Sequence, residues 1–260
     1  FDRDMHQSAV ALLKLETELR LGVQNNDFEM HYQPIVDLTS GRIVGFEGLV
    51  RWMHAERGIV SPASFIAIAE ETGLIVPLGW WVLEECCRQT RKWQKIYPTD
   101  PPLFISVNVS GKLFMKSTMV DEFLTILNET GLEPRNLRIE VNKNVVMDHA
   151  DLAIRNLMEL RALRIQLSID DFGTGYSSLN YLKRFPINAL KIDRSFLNGI
   201  PGESDQVAIA SAIIAMSKNL KLKVIAEGVE TEGILAFIKA TGVRYAQGYV
   251  FERPGPVRGG

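Results

Sequence analysis

A chain of 260 residues that is 46% hydrophobic and 23% charged can bury a sizeable core, which excludes a disordered or collagen-like protein. Lysine plus arginine total 29 against 31 for aspartate plus glutamate, and the net charge of -2 excludes a broad basic face for polymeric nucleic acid or an anionic membrane. The most apolar stretch, Gly73 to Leu83, is broken by Pro77 and Gly79 and falls short of the roughly 20 residues a membrane span needs, so the expectation is a soluble fragment without membrane contact.

In chain order, Met5 to Leu21 comes first, with apolar residues at helical spacing (Ala9, Leu12, Leu13, Leu15, Leu19), and predicts a leading helix. It either joins an upstream domain or packs on this domain's own surface. From about residue 29, short β-branched or apolar runs alternate with longer amphipathic stretches, the pattern of βα units around a parallel sheet. Eight runs qualify: Met30 to Val36, Ile43 to Val50, Leu103 to Val109, Leu137 to Asn142, Arg164 to Asp170, Asn188 to Asp193, Leu222 to Glu227 and Val243 to Phe251. Predicted helices between them include one with Ser61 as N-cap and Pro62 at its first position, and one from Val76 to about Trp93. The gap from Asp37 to Arg42 is too short for a crossover and contains Gly41, so the first two runs should pair as an antiparallel hairpin. The expected fold is an α/β, TIM-like (β/α)8 barrel with one antiparallel strand and a leading helix. No linker, repeat or composition shift divides it.

Cys86 and Cys87 are neighbours in a predicted helix, where successive side chains diverge and cannot easily close a disulfide, so a reducing compartment, the cytoplasm, is expected. With no CxxC pair and with His6, His31, His54 and His149 scattered, any metal should be held by oxygen. The chain opens on Phe1 without a signal pattern and reads as a segment of a longer protein.

Residues two apart on a strand share a face, and the runs place a polar group near each C-terminal end: Glu47, Asn108, Glu140, Asp170, Lys191, Glu227 and Gln247. In a βα barrel those ends surround one mouth. Any one of these residues alone is an ordinary strand-end polar group; the coincidence over seven strands is what points to a site. With Asp171, five carboxylates would face one lysine, and two divalent ions, Mg²⁺ or Mn²⁺ on oxygen ligands, would cancel the surplus of four negative charges. The adjacent Asp170 and Asp171, before the turn Phe172-Gly173-Thr174-Gly175, would let two ions be bridged, an arrangement suited to in-line attack on a phosphodiester. That turn alone reads as an ordinary glycine-rich βα turn, and Lys191 alone as a structural ion pair.

These residues resemble the EAL-domain cyclic di-GMP phosphodiesterase family. The resemblance runs through YQPIV (Tyr32 to Val36), GFEGLVRW (Gly45 to Trp52), SVNVS (Ser106 to Ser110), DDFGTGYSS (Asp170 to Ser178), LKID (Leu190 to Asp193), AEGVET (Ala226 to Thr231) and QGYVF (Gln247 to Phe251). It implies a metal-dependent hydrolase that opens cyclic di-GMP to linear pGpG with two Mg²⁺ or Mn²⁺ ions. It assigns metal ligands to Glu47, Asn108, Glu140, Asp170 and Asp171. Lys191 would hold the attacking water, Glu227 would lie near that water, and Gln247 would position the network, while Gln33, Leu49 and Arg51 would contact substrate. It further implies that residues 1–24 are a linker helix after a GGDEF-like domain and that residues 25–260 are the barrel; apart from the resemblance, a homodimer is left open as a partner.

Two residues depart from the family pattern. The signature triplet reads Glu47-Gly48-Leu49, with Gly in place of Ala, a change expected to be tolerated. In Glu140-Val141-Asn142-Lys143 a lysine stands where the family has a second glutamate that anchors the loop of the DDFGTG turn, exchanging an acceptor for a donor and weakening that support. Lys143 therefore motivates an alternative, a catalytically weak or inactive sensor domain that binds cyclic di-GMP. An unrelated metal-dependent barrel enzyme is the third reading.

Overall fold

The computed structural model describes residues 2–148, 150–172 and 182–257, with residues 2–12, 148 and 171 described by backbone alone. Helix α1 (Asp2–Asn25) leads into the hairpin β1 (Phe28–Asp37) and β2 (Arg42–His54), which turns at Gly41 with φ 69°, a conformation favourable to glycine. A short β3 (Gly58–Val60) extends the hairpin antiparallel to the end of β2. Helices α2 (Pro62–Thr72) and α3 (Ile75–Ile96) follow; Pro77 is accommodated in the first turn of α3, where its missing N–H has no helical partner to lose.

The parallel strands are β2, β4 (Phe104–Val109), β5 (Leu137–Asn142), β6 (Gln166–Phe172), β7 (Ala189–Ile192), β8 (Lys223–Ala226) and β9 (Tyr245–Ala246). β1 pairs antiparallel with β2 on one side and with β9 on the other, which closes an eight-stranded barrel with one reversed strand, as the short first connection requires. Between the strands lie α4 (Gly111–Phe114), α5 (Met119–Thr130), α6 (Lys143–Asp148), α7 (Ala150–Ala162), α8 (Ser204–Asn219) and α9 (Glu232–Ala240). None of the described helices is long and apolar enough to cross a membrane.

Alternation along the strands sorts the side chains. Ile105, Val107, Ile139, Val141, Leu167, Ile169, Leu190 and Ile192 are buried with helix residues such as Leu83, Phe123, Leu157 and Leu160, and this layer between sheet and helices is the main core. The intervening residues point to the barrel axis. The leading helix settles against the barrel's own surface: Leu19 is fully buried, Gly22 lies against the Trp52 indole, and Glu18 meets His54 Nε2 at 3.2 Å and Arg57 Nη2 at 3.0 Å.

Several boundaries differ from the sequence expectation. β2 runs on to His54 because β3 gives its end a partner, and β3 itself carried no turn signal strong enough to be read. β6 starts at Gln166 rather than Arg164, since Arg164 adopts φ 69° in the turn out of α7. The last run was expected to reach Phe251, but β9 ends at Ala246. Beyond it Gly248 packs so closely on Val229 that a Cβ there would sit 2.3 Å from the Val229 backbone, and the chain turns away. It returns as β10 (Gly255–Pro256) along β1.

Candidate active site

The seven parallel strands bring their C-terminal polar residues into one contact network. Glu47 on β2 sits opposite Gln33 in the β1 pairing and beside Ser106 in the β4 pairing. Its Oε1 accepts from Asn108 Nδ2 at 2.7 Å and its Oε2 from Gln247 Nε2 at 2.5 Å. Gln247 Nε2 also donates to Glu227 Oε1 at 3.1 Å. Glu227 and Gln247 each lie one residue beyond their strands, yet stay in line because the Glu227 amide bonds Ile192 O and the Gln247 amide bonds Ala226 O.

Lys191 is the centre of this network. It is fully buried, donates to Glu140 Oε2 at 2.5 Å, pairs with Glu227 Oε1, and lies 3.2 Å from Glu47 Oε2 and 3.9 Å from Asp170 Oδ1. Asp170 occupies an irregularity in the β6–β7 register between Ile169 and Phe172, a bulge of the kind that re-aims side chains at barrel rims. Asp171 lies in the same bulge; its side chain, and the Gly173–Thr174–Gly175 part of the turn that follows, fall outside the described residues.

Four carboxylates thus surround one ammonium, a surplus of three negative charges in a buried place. Their proton affinities diverge accordingly. Burial pushes Glu140 up to about 8, with the charges of Glu47 and Asp170 adding and Lys191 opposing. Burial also drives Glu227 well up, with Asp170, Glu47 and Glu140 adding. Burial acts the same way on Glu47, but Lys191 and the donors Gln247 and Asn108 outweigh it and hold its carboxyl below the usual range. Burial would lower Lys191, yet Asp170, Glu140, Glu227 and Glu47 together keep it firmly protonated.

The donor chemistry suits a hard divalent cation. Every donor atom offered by Glu47, Asn108, Glu140 and Asp170 is oxygen once the Asn108 amide turns its carbonyl inward. Glu140 Oε1 is buried with no hydrogen-bond partner among the described residues, which leaves an acceptor for a cation to engage. Among the described residues, no three carboxylates, histidines or cysteines form a ready-made metal cage, and the Lys191 ammonium stands among four carboxylates. The residues fit a cation that would share those carboxylates with Lys191.

Of the residues expected to meet substrate, Gln33 is buried and donates to Glu252 O at 3.3 Å, while Leu49 and Arg51 are half-buried and continue the Glu47 face of β2 past the rim. Arg51 Nη1 bonds its own strand at Val50 O, 2.9 Å, and the guanidinium stands apart from the Lys191 network. Sequence reasoning passed over His31, which shares the Gln33 face of β1 and pairs with Leu49. It is buried with Nε2 unpartnered among the described residues, and burial, reinforced by the Arg51 charge, holds it below the usual histidine range. Strand alternation from Gln33 was the signal that would have found it. Lys143 opens α6 directly after β5, is 2% exposed, and has no acidic partner among the described residues.

The chain was compared with known proteins. The EAL domain family model matches residues 16–254. The bifunctional diguanylate cyclase/cyclic di-GMP phosphodiesterase MucR of Pseudomonas aeruginosa is 43% identical over 256 residues, which cover 98% of this chain and 37% of that protein. The cyclic di-GMP phosphodiesterase NbdA of the same organism is 42% identical over 257 residues, covering 99% of this chain and 33% of that protein. The chain therefore spans about a third of the length of these relatives. Among solved structures, the PaMucR phosphodiesterase in complex with c-di-GMP superimposes with a TM-score of 0.89 at 43% identity, covering 94% of this chain and 98% of that one. The barrel with its reversed first strand, the carboxylates gathered at its mouth and these likenesses lead to one conclusion: the chain belongs to the EAL domain family.

Proposed function

We propose that this domain is a metal-dependent phosphodiesterase that hydrolyses cyclic di-GMP to linear pGpG in the cytoplasm. The observation that carries the reading is the convergence of Glu47, Asn108, Glu140, Asp170, Lys191, Glu227 and Gln247, one from the C-terminal end of each parallel strand, in a single network of hydrogen bonds and ion pairs. It is supported by MucR and NbdA, both named for action on cyclic di-GMP, and by the c-di-GMP complex of PaMucR.

In this reading Glu47, Asn108, Glu140 and Asp170, with Asp171 on a second ion, hold Mg²⁺ or Mn²⁺. Bound there, the ions supply Lewis-acid activation of the attacking water and neutralise charge on the phosphoryl oxygens. Lys191, kept protonated by its four carboxylate neighbours, donates to that water and orients it. Glu227, whose proton affinity is raised, is the group to accept the water's proton, and Gln247 ties its carboxylate to that of Glu47. Gln33, Leu49 and Arg51 line the approach, and the permanent forked cation of Arg51 suits a phosphate. Formation of linear product by the purified domain with Mg²⁺ or Mn²⁺ tests the proposal: Glu47→Ala abolishes turnover, and an Ala variant as active as the parent refutes the assignment.

The buried Lys143 favours a second reading, a weak or inactive domain that holds cyclic di-GMP and signals by binding. Tight binding without product under saturating metal distinguishes it.

A further inference from the structure

The opposite, N-terminal end of the barrel holds a cavity of about 810 Å³ bounded by the starts of β2, β5, β6 and β8. Its wall carries Arg42, Arg135, Arg138, Lys223 and Arg244 against two carboxylates, Asp37 and Asp100. Asp37 is already engaged by Arg244, at 2.9 Å from Nε and 2.8 Å from Nη2, and Arg135 is paired with Glu133 outside the cavity. Among the described residues, Arg42, Arg138 and Lys223 have no ion-pair partner.

Arg138 is the decisive group. It is only 5% exposed, its guanidinium carbon stands 4.1 Å over the Phe104 ring, and Nε and Nη1 are buried with no hydrogen-bond partner among the described residues. The acid next along its face of β5, Glu140, is roughly 7 Å further up the strand and is already bonded to Lys191. A guanidinium offers five donors and keeps its charge at any working pH, so donors left bare in a cationic cavity call for an oxyanion. Phosphate matches that fork, and Lys223 and Arg42 supply further charge from neighbouring wall positions. Pro101, Pro102 and the Tyr245 ring add apolar wall for an organic substituent.

We propose that this end of the barrel is a second ligand site, taking a phosphate-bearing small molecule on Arg138 with Lys223 and Arg42. A bilayer is disfavoured as the occupant because a flat surface does not reach a guanidinium recessed in the barrel floor.

The test is calorimetric titration of the whole purified chain with inorganic pyrophosphate in EDTA, which removes cations that would draw the anion to the mouth. Saturable binding is expected. It should be lost in Arg138→Gln, weakened about tenfold in the double variant Arg42→Gln/Lys223→Gln, and unchanged in Glu47→Ala. Should Arg138→Gln fail to fold, the double variant at two exposed positions decides the matter. Absence of binding at millimolar pyrophosphate overturns the proposal, as does binding unaltered in the double variant. So does sedimentation with phosphatidylglycerol vesicles that depends on Arg42 and Lys223 but not on Arg138.

Discussion

Gly48 and Cys86 are matched in size across the interface of β2 and α3: a Cβ on Gly48 would lie 2.3 Å from Cys86 Sγ and 3.2 Å from Met30 Cε. The missing methyl in the signature triplet is therefore filled by a neighbouring sulfur rather than left as slack. Gly48→Ala should destabilise the fold by about 1–3 kcal/mol through overpacking, and Cys86→Ala in the same chain should recover most of that loss. Urea unfolding of the two single variants and the double variant measures the coupling; additive losses would contradict the pairing.

Lys191 is the counter-charge for four carboxylates. Lys191→Met leaves them uncompensated, so in EDTA the variant should lose about 3–5 kcal/mol of stability, and added Mg²⁺ should narrow the gap to the parent. Turnover should fall by about 10²-fold or more even with metal present. Unfolding curves with and without Mg²⁺, alongside a product assay, check both halves.

Lys143 sits where α6 leaves β5, three residues beyond Glu140. Restoring an acceptor with Lys143→Glu should raise turnover by about tenfold or more, the scale typical of an outer support of a metal site. A rate that is unchanged or lower counts against the idea that this lysine weakens the loop.

The Asp37–Arg244 pair gives a pH signature remote from the mouth. Burial alone would raise Asp37, but hydrogen bonds from Arg244 and the Thr39 amide hold its carboxyl below the usual value. A carboxyl depressed in the folded state stabilises the fold above its unfolded pKa, about 4, and that contribution is lost as pH falls through the folded value. Asp37→Asn should therefore lower the unfolding temperature at pH 7 by about 2–4 °C, and the difference from the parent should shrink below about pH 4. A difference independent of pH would remove the ionic account.

The barrel was legible because its signals are local. Strand runs, the short Asp37–Arg42 connection and the period-two placement of Glu140, Asp170 and Lys191 need no knowledge of distant contacts. What escaped depends on partners far along the chain. β3 and β10 are too short to announce themselves and exist because β2 and β1 offer edges. Gly248 ends β9 through Val229, and His31 becomes part of the site surroundings only across from Leu49. The cationic floor was hidden for another reason. A net charge of -2 averages over opposite ends, and only the fold separates the carboxylates of the mouth from Arg42, Arg138 and Lys223 below.

The reversed first strand also governs when the molecule can be finished. β1 is the first strand of this domain, yet its second seam joins Val36 to Ala246 on the last strand of the barrel. Until the ribosome has released that last strand the sheet remains an open ribbon with two unpaired borders, and such borders invite pairing between nascent chains. Vectorial folding of this domain must therefore end with a long-range closure, the slowest kind of contact for a chain to find.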